Sequence, residues 1–130
     1  MTYTSITAQL SPLAAASTGL LTTFRRSGQP VATPVSITID SDHVYFATAV
    51  DSGKAKRLAS NDAVTLAPCT TTGTVTGPAV TGRARPLGAA DRRQQRRMLR
   101  PTRPLFWSYL LYRLRGMSMR VYEVAPTPTP

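Results

Sequence analysis

Lys54 and Lys56 are the only lysines in this chain of 130 residues, and they stand together in Asp51-Ser52-Gly53-Lys54-Ala55-Lys56-Arg57-Leu58. The run follows a strand-like stretch, Val44-Tyr45-Phe46-Ala47-Thr48, and opens a predicted short helix over 55–60. A helix start carries unpaired amide donors and partial positive charge, so it favours anions. Ser52 adds a hydroxyl, Gly53 an accessible amide, Lys54 and Lys56 ammonium groups and Arg57 a guanidinium, the groups that hold phosphate. The spacing is not that of a P-loop. A solvated basic helix start is the plainer alternative. Cations oppose the helix dipole there, however, so a compensating anion is the more comfortable explanation.

Other residues carry weaker chemistry. Pro34 interrupts the alternating Val31, Thr33, Val35, Ile37 and Ile39. Proline cannot donate to a ladder, so Thr33-Pro34-Val35 marks an edge strand, a bulge or the border of a flat ligand. Arg92, Arg93, Arg96, Arg97 and Arg100 recur at helical spacing, as a solvated face or as a sequence-blind phosphate surface. No nucleic-acid-binding motif accompanies them. Leu105 to Tyr112 is apolar almost all round and suits core packing or a dimer interface, with Trp107 or Tyr109 a candidate pocket wall. His43, Cys69 and Glu123 are each the only residue of their type. Metal ligation and paired-carboxylate catalysis therefore find no support.

The formal net charge of +10 calls for an acidic partner: nucleic acid, an anionic membrane or a polyanionic small molecule. A lone cysteine excludes an internal disulfide and suits a reducing compartment. No basic segment precedes an apolar one at the N-terminus, and no stretch reaches the roughly 20 apolar residues of a membrane span. A cytoplasmic protein without membrane insertion is expected. Residues 1–125 read as one domain and 126–130 as a disordered Pro/Thr tail. Abundant Ala, Thr, Arg and Pro suggest a GC-rich bacterial genome.

The elements that must position these residues read in order. A short helix is expected near 5–16, a strand at 19–24, and a hairpin over 31–48 turning at Asp40-Ser41-Asp42. The basic helix follows, then strands at 63–67 and 74–86, the second bent at Gly77-Pro78. Helices are expected over 88–100 and, capped by Thr102 with Pro104, to Arg115 before Gly116; a strand at 119–124 closes the chain. About six short strands with helices as insertions suit a mainly β, α+β chain: an antiparallel barrel with peripheral helices.

Several segments together resemble a known family. They are Thr22-Thr23-Phe24-Arg25-Arg26 with Gly28, Thr33-Pro34-Val35, Thr48, Ser52-Gly53-Lys54 with Lys56-Arg57-Leu58, and Asn61-Asp62 before Val64-Thr65-Leu66-Ala67-Pro68-Cys69. The pattern is similar to the pyridoxamine 5'-phosphate oxidase-like proteins, and more closely to an actinobacterial subgroup of coenzyme F420-dependent oxidoreductases. It spans roughly residues 18–125, most specifically 48–69. The resemblance implies a six-stranded, FMN-binding-like split β-barrel, a homodimer with cofactor at the subunit interface, and hydride exchange with a small organic substrate. By the same resemblance Lys54 meets the cofactor phosphate, with Thr48, Ser52 and Gly53 beside it and Lys56 as supporting charge. Arg57 holds the phosphate or an acidic tail, and Thr33, Pro34 and Val35 border the ring. The oxidases proper carry arginine where this chain has Gly53, and their C-terminal substrate motif is missing, so vitamin B6 oxidation is not expected. The alternatives are FMN as cofactor, a carrier that binds F420 without turnover, and a small nucleic-acid binder. The deazaflavin, with its phosphodiester, lactyl carboxylate and oligoglutamate tail, is far more anionic than FMN, and arginines beyond the phosphate site could guide that tail by long-range attraction.

Overall fold

The alternation that begins at Pro30 continues to Asp40, but the backbone uses it for two strands. The protein is described by a computed structural model covering residues 8–40 and 42–127. Its strands are β1 (Thr18–Phe24), β2 (Pro30–Ser36), β3 (Thr38–Asp40), β4 (His43–Ala49), β5 (Ala63–Pro68), β6 (Val80–Pro86) and β7 (Met119–Pro126). They form one sheet in the order β2-β1-β5-β6-β7-β4-β3, antiparallel throughout. The outermost strands, β2 and β3, are neighbours in the chain, separated by Ile37 alone. The sheet must therefore curl until its two edges meet at that residue. The result is a split β-barrel of seven strands, one more than expected.

Ile37 is fully buried, and its N–H donates to Ser17 O at 3.0 Å. Before it, β2 pairs with β1, Val35 opposite Gly19; after it, β3 pairs with β4, Thr38 opposite Tyr45. The hairpin expected over 31–48 thus shrinks to β3 and β4, and Ser41 at its turn lies outside the described residues. Pro34 sits in an edge strand, the place where its missing donor costs no ladder bond. Beyond Tyr45, β4 pairs on one side only, with β7. Between that free edge and β2 lies the split.

β4 and β7 bury both faces. Phe46 and Tyr122 sit opposite each other inside the barrel, their rings stacked 5.2 Å apart. Val44, Val124, Leu21, Val64 and Leu66 join them, with Leu10 and Leu13 of the 3-10 helix Ala8–Leu13. The helix expected near 5–16 is that 3-10 turn; residues 5–7 lie outside the described residues. On the outer face, Tyr45 and Val121 pack with Leu87, Met98 and Leu105 beneath two helices, α2 (Arg92–Met98) and α3 (Pro104–Leu114). A single 3-10 turn, Ala89–Asp91, starts the segment read as one helix over 88–100. Arg103, not Thr102, holds the cap position of α3, and its Nη1 donates to Ile39 O at 3.0 Å. Gly116 ends that helix with a positive φ of 85°. No helix among the described residues is long and apolar enough to cross a membrane.

Two strand boundaries differ from expectation. Residues 74–79 lie outside β6, touching the sheet through one bridge, Cys69 with Val75. At the other end β7 runs through Pro126, and Thr127 N–H donates to Thr81 O at 2.9 Å. The remainder of the expected tail, residues 128–130, lies outside the described residues.

The corner is testable. Ile37→Ala should destabilise the fold by about 2–5 kcal/mol, the range for truncating a fully buried aliphatic side chain. Urea unfolding followed by circular dichroism measures it; a smaller loss would mean that the barrel closes without Ile37.

Candidate anion-binding cavity

The split between β2 and the free edge of β4 opens into a cavity of about 360 Å³, within the range of small-molecule sites. Pro34, Val35 and Ser36 form one side, and Ala47, Thr48 and Ala49 the other. Ser52 and Lys54 close one end, from the start of helix α1 (Gly53–Ser60). Ser108 and Tyr112 of α3, with Met117 and Met119, supply another wall, and Thr18 and Thr71 add hydroxyls. Among the described residues no carboxylate, histidine or cysteine lines it, and Lys54 is the one charged side chain there.

α1 places the cation by ordinary helix rules. Ser52 caps it, its Oγ accepting the Ala55 N–H at 3.1 Å, so the helix begins at Gly53 rather than Ala55. The Ser52 and Thr48 hydroxyls share a hydrogen bond of 2.9 Å. Ala55 and Leu58 bury the inner face. Lys54 is thereby half-buried against the barrel, and Lys56 is exposed. Arg57, one turn on, donates from Nε to the buried Thr23 Oγ1 at 2.6 Å. Burial first, and the neighbouring Arg57 charge second, pull the Lys54 ammonium below its ordinary pKa. Among the described residues neither cation pairs with a carboxylate.

The structure brings together Pro34, Val35, Thr48, Ser52 and Lys54 of the residues singled out from sequence. Thr33, Gly53, Lys56 and Arg57 lie outside the lining. Thr33 Oγ1 is buried without a hydrogen-bond partner among the described residues. Trp107 and Tyr109 do not wall the cavity: Trp107 is 61% exposed, with its indole N–H on Pro101 O, and Tyr109 packs against the outer-face cluster of Tyr45, Leu87, Met98, Leu105 and Val121. Ser108 and Tyr112, one helical turn apart, take that place. Their spacing was visible in the sequence, but the rotation of α3 was not. The cavity's Thr18, Ala47 and Met119 carried no sequence signal at all.

A second polar cluster lies on the outer face, away from the cavity. Tyr45 OH donates to Glu123 at 2.7 Å and accepts from Gln94 at 2.6 Å, while Arg85 bridges Glu123 and Asp91. Burial raises the Tyr45 phenol well above its ordinary value. The cluster ties α2 to β4, β6 and β7. Of the helical-face arginines, Arg97 joins it through Asp40 at 3.4 Å, and Arg92, Arg93, Arg96 and Arg100 stay exposed.

A seven-stranded split barrel with a cavity in its split defines a protein of the flavin-binding split-barrel class. The match of the pyridoxamine 5'-phosphate oxidase family model to residues 6–115 identifies it further: the chain belongs to that family, which includes oxidoreductases. No curated protein matches the sequence. Solved structures do. A candidate pyridoxamine 5'-phosphate oxidase from Listeria innocua is 15% identical, with TM-score 0.63 over 92% of this chain and 90% of its own. An FAD-binding protein from Mesorhizobium loti is 17% identical, with TM-score 0.64 over 90% and 84%. An F420 reductase is 16% identical, with TM-score 0.54 over 94% and 95%. At such identities the likeness is one of fold.

The depressed Lys54 has a consequence for stability. The unfolded chain keeps this proton to about pH 10.5 while the folded chain releases it earlier, so unfolded protein binds more protons between those points. Lys54 therefore costs stability at neutral pH, and the cost fades as pH rises through that window. Lys54→Met should raise Tm at pH 7, by an amount trimmed by solvent screening, and the gain should shrink toward pH 10.5. Thermal melts across pH decide it; a variant no more stable at pH 7 would contradict an uncompensated charge.

Proposed function

We propose that this protein is an F420-dependent oxidoreductase that works as a cytoplasmic homodimer and exchanges hydride with a small organic substrate. The observation that carries the reading is the cavity's asymmetry. One end is cationic, with Lys54 paired to no carboxylate among the described residues and Arg57 one turn behind it, while Pro34 and Val35 of β2 face Ala47 and Ala49 of β4 across the split. The donor set fits a phosphorylated ring system: hydroxyls and cations for the phosphate, Pro34, Val35 and Ala47 for a flat face. The orphaned Thr33 hydroxyl lies one residue from that wall.

The bound deazaflavin would supply the hydride chemistry. The chain's own residues hold and orient. Lys54 anchors the phosphate with Ser52 and Thr48, Arg57 adds charge, and Lys56 stays in solvent as a supporting charge. Tyr112 and Ser108 are the hydroxyls of the α3 wall. The exposed Trp107, Leu111 and Leu114 recur along α3 and suit burial against a second subunit. The net charge of +10 favours F420 over FMN, because an oligoglutamate tail is the more anionic ligand. A non-catalytic carrier is the second reading, favoured by one observation: among the described residues no carboxylate, histidine or cysteine lines the cavity to move a proton.

Calorimetric titration of the full chain with F420 and with FMN tests this. F420 should bind, more weakly in salt. Lys54→Ala should lose about 1.5–3 kcal/mol of binding, the scale of a hydrogen bond to a charged group, and Lys56→Ala less. Equal losses would break the assignment of the two lysines. Tight FMN binding without F420 binding would move the cofactor, and binding without turnover of enones or quinones would leave a carrier. Salt-sensitive duplex binding with neither cofactor bound would sink the reading.

A further inference from the structure

Thr23 lies outside the cavity lining, yet it is tied through Arg57 to the cationic end of the cavity. It lies on β1, fully buried, and its hydroxyl accepts the Arg57 Nε–H at 2.6 Å. A guanidinium has five N–H donors; beyond this one, those of Arg57 meet no acceptor among the described residues. The guanidinium lies against Gly53: a Cβ built there would stand 2.9 Å from Nη1, 3.7 Å from Cζ and 3.8 Å from Nη2. Arg57 thus fills the space that any other residue at position 53 would need. Gly53 is exposed, so solvent and solutes reach that point. The charge of Arg57 also acts on Lys54, which places the two cations in one field.

We propose that Thr23 is a positioning residue of the anion site: it fixes Arg57 beneath Gly53, so that the free Nη groups act on the anion that Lys54 holds. The inference rests on the anion-site reading above, and not on the identity of the cofactor. The hydrogen bond lowers the number of conformations Arg57 must give up on binding, because the folded protein has already restricted them. It also sets a geometric condition. The second cation enters from one turn along α1, through the gap left by a missing side chain at its first residue.

The test uses isotope-labelled full-length protein and inorganic pyrophosphate, followed by NMR at the Gly53 and Lys54 amides and at Arg57 Nε–H. Thr23→Val keeps the shape and removes the acceptor; it should weaken pyrophosphate binding by about three- to tenfold, the effect of one lost hydrogen bond. Thr23→Ser should restore it. In an Arg57→Gln background, Thr23→Val should cause no further loss. Gly53→Ala, which displaces the guanidinium from outside the core, gives a second reading should Thr23→Val fail to fold. It too should weaken binding only while Arg57 is present. Wild-type affinity in Thr23→Val, or a loss that persists undiminished without Arg57, overturns the proposal, as does a wild-type chain that binds no pyrophosphate. A chain that binds pyrophosphate in this pattern but neither F420 nor FMN would uphold Thr23 and refute the cofactor reading.

Discussion

The two edges of the sheet are consecutive in the chain, and the rest of the structure follows from that constraint. Ile37 is the one residue between a strand that pairs with β1 and a strand that pairs with β4. A flat sheet would place these strands at its opposite edges, six positions apart. Curling removes the distance, and the buried Ile37 side chain with its N–H on Ser17 O fixes the corner. Closure is nevertheless incomplete. β2 and the far half of β4 diverge from the corner without pairing, and the cavity occupies the gap.

The same geometry decides what the site can be. Two of its walls are strand edges, so those sides are backbone and small side chains, and α3 with Met117 and Met119 closes it further. Charge enters only where α1 begins. The barrel interior is saturated with Phe46, Tyr122 and the aliphatic residues around them, and the polar cluster of Tyr45, Glu123 and Arg85 is confined to the outer face. The split is where this fold can admit a ligand without disturbing either core. Lys54 accepts a shifted pKa as the cost of sitting there.

Much of this was legible in the sequence, for identifiable reasons. The basic helix start was visible because the charges cluster just after an apolar strand; the Ser52 cap that moves the start to Gly53 was not read. Gly116 marked the end of α3 because few other residues adopt its φ. Pro34 left an edge, a bulge or a ligand border open, and it sits in an edge strand that also lines the cavity. What escaped detection depends on tertiary choices that local pattern does not encode. Alternation from Val31 to Ile39 keeps its period through Ile37, so nothing in it marks a change of partner. Two-faced strands such as β4 read as plain apolar runs. Val75 reads as part of a strand, yet Gly77-Pro78 keeps its segment off the ladder until Val80. On α3, apolar nearly all round, only its rotation against β4 decides that Ser108 and Tyr112, rather than Trp107 and Tyr109, reach the cavity.

That rotation leaves Trp107, the sole tryptophan, in solvent at the outer side of the helix whose inner side walls the cavity. Its ring stands edge-on to Phe106, 5.0 Å between centroids, with the indole N–H already engaged by Pro101 O. The chain therefore carries its single tryptophan outside the cavity lining. Its emission reads the polarity around α3, and a ligand in the split reaches it only through energy transfer or movement of the helix. Anything that settles on the exposed face of α3 would shift the same emission to the blue, so one chromophore separates events inside the barrel from events on its surface.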